Sequence, residues 1–171
     1  MVDSNSHPIG IFDSGVGGIS VANAIKSAMP AEHLIYVADS ANAPYGNKSQ
    51  SFILSRSQRI VEFLLAQKVK LIVVACNTAT LSCIDILRQQ YSLPFVGVEP
   101  GVKPAVAATL SKKVGVLATP LTVQSERYHQ LVERVAHGVE VYSQGCDGLA
   151  FPIEKGEFDS DIIISLVRGF V

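Results

Sequence analysis

The sequence predicts an α/β protein in which parallel sheets are flanked by helices. Three observations carry this. Short apolar runs rich in Val and Ile recur along the chain, amphipathic segments of helix length separate them, and small polar residues follow most of the runs. Runs that do not alternate suit strands buried on both faces of a parallel sheet, and a β-α-β-α order implies right-handed crossovers.

The first run is Ile9–Phe12. Asp13-Ser14-Gly15-Val16-Gly17-Gly18 follows it and reads as a tight strand-to-helix turn that needs glycine. Leu34–Ala38 is the second strand, followed by Asp39-Ser40 and then Ala43-Pro44-Tyr45-Gly46. Ser49–Gln67 reads as a helix with Ile53, Ile60 and Leu64 on one face. The third strand, Leu71–Ala75, runs into Cys76-Asn77-Thr78-Ala79-Thr80, where a helix begins that holds Cys83 in its interior. Phe95–Val98 is the fourth, followed by Glu99-Pro100-Gly101-Val102-Lys103.

The Pro-Gly pair breaks structure and marks a boundary. A first α/β domain is expected over residues 1–98, and the N-terminal part of a second over 99–171. In the second, Val114–Ala118 and Val139–Tyr142 are strands. Leu121–Ala136 reads as one helix with Tyr128, Leu131, Val132 and Val135 on one face. Asp159–Val171 reads as another, with Asp159 or Ser160 as its N-cap. Two similar α/β domains facing each other across a cleft fit this order.

Apolar residues make up 48% of the chain and charged residues 17%, which excludes disorder. Fourteen Lys and Arg face 15 Asp and Glu without a block of like charge, so neither nucleic acid nor an anionic membrane is indicated as a partner. No apolar run reaches membrane-spanning length, and the opening MVDSNSHP lacks the build of a signal peptide. A reducing, cytoplasmic setting is expected. The cysteines are odd in number and form no CxxC or Cys/His ladder, so neither a disulfide frame nor a zinc site is indicated. His7, His33, His129 and His137 have no acid at a suggestive spacing and read as solvated surface positions.

Ligands of open parallel sheets collect outside the C-terminal ends of strands. The segments after the strands place small, polar and reactive residues on that edge. Gly15-x-Gly17, with Asp39 at the end of the next strand, invites a dinucleotide reading, but Ser20 stands at the third glycine position and no phosphate-loop Gly-Lys-Ser/Thr follows. An alternative gives Asp13 and Ser14 an amino group to hold, while N–H groups at the helix start face an anion. Cys76 sits at a strand-to-helix junction, where the helix dipole is expected to lower its pKa. Position alone leaves a reactive thiol and a buried inert one both open. Asn77 and Thr78 offer hydrogen bonds to a carboxylate. Cys83 and Cys146 read as packing.

Asp13-Ser14-Gly15-Val16-Gly17-Gly18, Pro44-Tyr45-Gly46, Cys76-Asn77-Thr78-Ala79-Thr80 and Thr119-Pro120-x-Thr122 resemble, in order and spacing, the bacterial glutamate racemases. These belong to the cofactor-independent aspartate/glutamate racemases, and the likeness runs from Ile9 to the end. The resemblance implies an isomerase that interconverts L- and D-glutamate, supplies D-glutamate for peptidoglycan and uses no cofactor or metal. It carries the first catalytic cysteine onto Cys76, with Asp13 helping it or binding the ammonium. Substrate contacts fall on Asp13, Ser14, Tyr45, Gly46, Asn77 and Thr78, and Thr119 matches a threonine of the second domain.

The family's second cysteine lies in a Cys-Thr-His-Tyr-Pro type stretch. Residues 1–171 contain none, and Cys146-Asp147-Gly148 has neither the Thr nor the His. The expectation is an incomplete chain, inactive alone, whose complete form takes glutamate as its partner and leaves room for a homodimer. The alternatives are an aspartate racemase or a decarboxylase-like cousin, and a non-catalytic binding or interaction remnant.

Overall fold

A computed structural model describes residues 6–171, so most of the polar opening stretch, residues 1–5, lies outside the described residues. The chain divides into two compact units between Val98 and Glu99.

The first unit is built on a four-stranded parallel sheet. Its strands are β1 (Ile9–Asp13), β2 (Leu34–Ala38), β3 (Leu71–Val74) and β4 (Phe95–Gly97), in the order β2-β1-β3-β4. All five residues of β1 are buried, because strands lie on both sides of it and helices above and below. Alternate residues of a strand face opposite ways. Ile9, Ile11, Val73 and Ala75 therefore share a face, and Val21, Ala22 and Ile25 of α1 (Ile19–Ala28) pack on it. Residues of the other parity, Phe12, Ile72 and Val74, are also fully buried. They turn toward the apolar faces of α2 (Gln50–Ala66) and α3 (Asn77–Gln90). At Gly10 an added Cβ would lie 3.1 Å from Leu64 Cδ1, so α2 rests directly on β1 there. Burying side chains of this size contributes about 1.5–3 kcal/mol each before chain entropy is counted.

The helix starts follow from sequence. The Ser49 hydroxyl accepts the Phe52 N–H at 3.2 Å and opens α2, and Cys76 plays the same part for α3. Lys68, at φ 58°, turns the chain out of α2. One expectation needs correcting here. β2 is a sheet edge, so its residues are half-buried or exposed and it is not covered on both faces.

The second unit carries a parallel pair, β5 (Lys113–Ala118) and β6 (Glu140–Gly145). Around it lie α4 (Val102–Ala108), α5 (Pro120–Gln124), α6 (Glu126–Val135), α7 (Ala150–Glu154) and α8 (Asp161–Phe170). Its buried apolar residues include Val102, Val114, Tyr128 and Leu131. Here β5 alternates between covered and exposed residues, unlike a strand buried on both faces, because Leu117 points to the open side with Tyr142 of β6. The single helix expected over Leu121–Ala136 is broken into α5 and α6. Ser125 is extended at φ −75°, ψ 137°, and its hydroxyl restarts the helix by accepting the Tyr128 N–H. Of the two candidate caps for α8, Ser160 does the work, accepting the Ile163 N–H at 3.3 Å. Among the described residues no helix is long and apolar enough to cross a membrane.

Candidate functional site

Parallel pairing brings three loops of the first unit to one edge. Asp13 stands in register with Ala38, and Phe12 with Val74. Two backbone bonds extend the ladder by one residue each, from Asp39 N–H to Asp13 C=O at 3.0 Å and from Ala75 N–H to Phe12 C=O at 2.8 Å. Asp13, Asp39 and Cys76 thus leave adjacent strands at nearly the same level.

Cys76 is 6% exposed. Its Sγ accepts the Ala79 N–H at 3.4 Å, which caps α3, and its thiol donates to Ser14 Oγ at 3.5 Å. Burial pushes the Cys76 thiol up to about 11, and the nearby Asp13 carboxylate adds to the effect, against hydrogen bonds from Ser14 and the Ala79 N–H. The lowered pKa expected from the helix dipole is therefore corrected. The partial charge at a helix start is worth less than the loss of water around a thiolate with a carboxylate beside it.

Asp13 is buried, and its Oδ2 accepts the Gly18 N–H at 2.8 Å. The start of α1 faces this carboxylate from its own loop, so the expectation that it faces an external anion is also corrected. Gly18 has an ordinary φ of −66°. Glycine is needed there for room, since an added Cβ would come within 2.7 Å of Asp13 Cβ and 2.9 Å of Ala75 Cβ. Tyr36 of β2 donates its hydroxyl to the Gly15 carbonyl at 2.9 Å and steadies the same loop.

Asp39 is buried and holds a second cluster. Its carboxylate accepts from Tyr45 Oη at 2.6 Å, from Arg56 Nε at 2.9 Å and Nη2 at 2.8 Å, and from Asn42 Nδ2 at 2.9 Å. Burial alone would raise the carboxyl, but these donors and the Arg56 charge hold it below its usual range. Burial and the Asp39 carboxylate raise the Tyr45 phenol, which stays neutral. The two elements of a dinucleotide reading are thus both in use within the chain: Asp13 fills the helix start, and Asp39 is spent on Arg56, Tyr45 and Asn42.

The structure brings Asp13, Ser14 and Cys76 together. Tyr45 is fully buried, and Gly46 lies beside it in the turn Tyr45–Asn47, which packs against α3. Asn77, exposed, and Thr78, buried, begin α3. Thr119 belongs to the second unit, where its Oγ1 accepts the Thr122 N–H at 3.3 Å and caps α5. Glu99 is engaged in the second unit too, with Arg127 at 4.0 Å and Arg134 at 3.4 Å. Cys83 is buried in the core, donating to the Ala79 carbonyl at 3.1 Å. Among the described residues no three His, Cys, Asp or Glu side chains gather as metal ligands.

Two residues escaped the sequence reading. Tyr36 sits unremarked in an apolar run. Arg56 could have been found, because it falls between Ile53 and Ile60 on the side of α2 that faces inward, where a charge needs a partner.

Known proteins resemble the chain over nearly all of its length. A glutamate racemase of Herpetosiphon aurantiacus is 49% identical over 164 residues, covering 96% of this chain and 65% of that protein. The crystal structure of Escherichia coli glutamate racemase, in complex with L-glutamate and the activator UDP-MurNAc-ala, superposes with a TM-score of 0.84 at 36% identity, over 96% of this chain and 62% of that one. A Francisella tularensis glutamate racemase in complex with D-glutamate does so at 0.80 and 33% identity, over 97% and 62%. The chain therefore spans somewhat less than two thirds of the length of these relatives. The family model described as Asp/Glu/Hydantoin racemase matches residues 9–161, which takes in both units and every residue of the sheet edge just described. By that match, and by the fold it shares with these enzymes, the chain belongs to the Asp/Glu/hydantoin racemase family.

Proposed function

We propose that this chain carries one half of the acid/base machinery of a glutamate racemase. The observation that supports it best is the Cys76 thiol, buried at the start of α3 with Ser14 Oγ 3.5 Å away and the Asp13 carboxylate close enough to shift it. Racemisation removes a proton from one face of Cα and returns one to the other. A single fixed base cannot reach both faces, so two thiols are needed, one entering as thiolate and one as thiol. Cys76 serves one face. Cys83 is tied into the core and does not serve the other.

A neutral Cys76 is ready to donate. To act as base it must first give its proton to solvent, and the substrate assists. The glutamate ammonium is taken up by Asp13, which cancels the negative charge that helps hold the thiol up. Ser14, Asn77 and Thr78 hydrogen-bond the substrate carboxylates, helped by the N–H groups at the start of α3. The Tyr45 hydroxyl is occupied by Asp39, so Tyr45 and Gly46 contribute through their backbone. The setting is cytoplasmic, and the product is D-glutamate for the cell wall.

The test is circular dichroism on L- and on D-glutamate with the full product of the gene and no added cofactor. Turnover is expected in both directions, unchanged by chelator or carbonyl reagent and destroyed by a thiol-alkylating reagent. Loss of activity with chelator alone, or turnover of aspartate in preference to glutamate, overturns this reading.

Asp13→Asn tests the electrostatic part. It removes a negative charge that raises Cys76, so the thiolate forms at lower pH than in the unsubstituted protein, where the pKa is pushed up to about 11. The pH profile of Cys76 alkylation should shift to lower pH while racemisation slows. An unmoved profile would show that Asp13 does not act on the thiol.

A further inference from the structure

The strongest arrangement outside the Cys76 cluster is the buried carboxylate of Asp39 and the donors around it. We infer that Asp39 and Arg56 are positioning residues that latch the Tyr45–Gly46 turn against the start of α3 and so govern access to Cys76. The inference deepens the racemase reading and borrows from it only the importance of Cys76.

The geometry is that of a clamp between two elements. Asp39 follows β2, and Arg56 projects from the second turn of α2, seventeen residues on. The guanidinium meets the carboxylate with two parallel bonds, 2.9 and 2.8 Å long. Such fork-to-fork pairs fix direction as well as distance. The same carboxylate then accepts the Tyr45 hydroxyl at 2.6 Å and Asn42 Nδ2 at 2.9 Å. Asn42 and Tyr45 of the 39–47 loop are thereby tied to α2 through one carboxylate. Tyr45, 1% exposed, is the part of that loop that enters the core. The turn that carries it packs on α3, the helix that Cys76 caps.

Beyond the burial of Tyr45, the 3-10 turns of this loop lack the caps that fix longer helices. Neither the Ser40–Asn42 nor the Tyr45–Asn47 turn has a side-chain cap. Without the clamp, the turn should lift from α3 in part of the population, and the thiol that caps α3 should meet solvent. Local openings of this kind have their own free energies, separate from global unfolding.

The experiment uses residues 1–171, folded, and measures alkylation of each cysteine by mass spectrometry near pH 8. Asp39→Ala and Arg56→Ala should each raise the rate at Cys76 by about ten-fold or more, the loss expected for charged hydrogen bonds. Cys83, buried in the same unit, is the internal control and should not change. Arg56→Lys keeps the charge but not the fork and should fall between. Tyr45→Phe removes only the hydroxyl and is the variant least able to disturb folding; it too should speed Cys76. An unchanged Cys76 rate in Tyr45→Phe or Asp39→Ala overturns the inference. So does an equal rise at Cys83, which would mean general loosening. Carried into the full product of the gene, the same variants should raise KM for glutamate more than they lower kcat. Absence of any racemisation in the unsubstituted full product of the gene would sink the racemase reading and leave the alkylation test standing.

Discussion

Replacing Cys76 by serine should abolish racemisation in the full product of the gene and leave its fold intact. A positioned acid/base contributes about 10²–10⁴-fold, and here no second group can take over on that face of Cα, so the loss should reach the upper end or beyond. Serine is the informative choice. Cys76 also caps α3 by accepting the Ala79 N–H at 3.4 Å, and a serine hydroxyl is among the best caps known. The thiol chemistry is removed while the structural contact stays. Alanine removes both, and should add a loss of about 0.5–2 kcal/mol in stability. Thermal melts of the two variants, read beside circular dichroism on L- and D-glutamate, separate the effects. Near-normal turnover in the serine variant would remove Cys76 from the mechanism.

The site's members were readable because each stands at the end of an apolar run, and a parallel sheet sends such positions to one edge. Ile9–Asp13, Leu34–Ala38 and Leu71–Val74 fall close to the runs seen in the sequence, so Asp13 and Cys76 could be grouped before any contact was known. What could not be read depends on how far burial goes. A cysteine at a helix start has a lowered pKa when water can reach it. Here Cys76 is 6% exposed and shares its surroundings with Asp13, and burial reverses the sign. Asp39 shows the same limit. Its spacing from Gly15-x-Gly17 suggested a ribose, but its partners are Arg56, Tyr45 and Asn42, all later in the chain. Strand order also had to come from the structure. Leu34–Ala38 resembles the inner strands in composition, yet it is an edge, and nothing in its residues says so.

Residues 1–171 expressed by themselves should fail to racemise glutamate and should self-associate through the α7–α8 region. The catalytic half of this rests on the thiols. Cys76 has no partner thiol suited to the opposite face, since Cys83 is locked into the core and Cys146 is buried with its Sγ bonded to the Gln144 carbonyl. The association half rests on exposure. The open side of β5–β6 is mixed, with Lys113 and Glu140 paired across it at 3.9 Å beside Leu117 and Tyr142. The apolar surface lies further on. Phe151 is 51% exposed, Phe158 63%, Ile162 60% and Ile164 43%, and α8 buries none of its residues although it is strongly amphipathic. Exposed apolar side chains gathered in one region gain by meeting another copy, at about 25 cal/mol for each Å² covered. Sedimentation should show association that rises with concentration, and Ile162→Lys with Phe158→Glu should reduce it while leaving the first unit's melting unchanged. Assayed alongside, this polypeptide should give no change in optical signal with either enantiomer. A monomeric chain with racemase turnover would refute both halves; an inactive monomer would refute only the association.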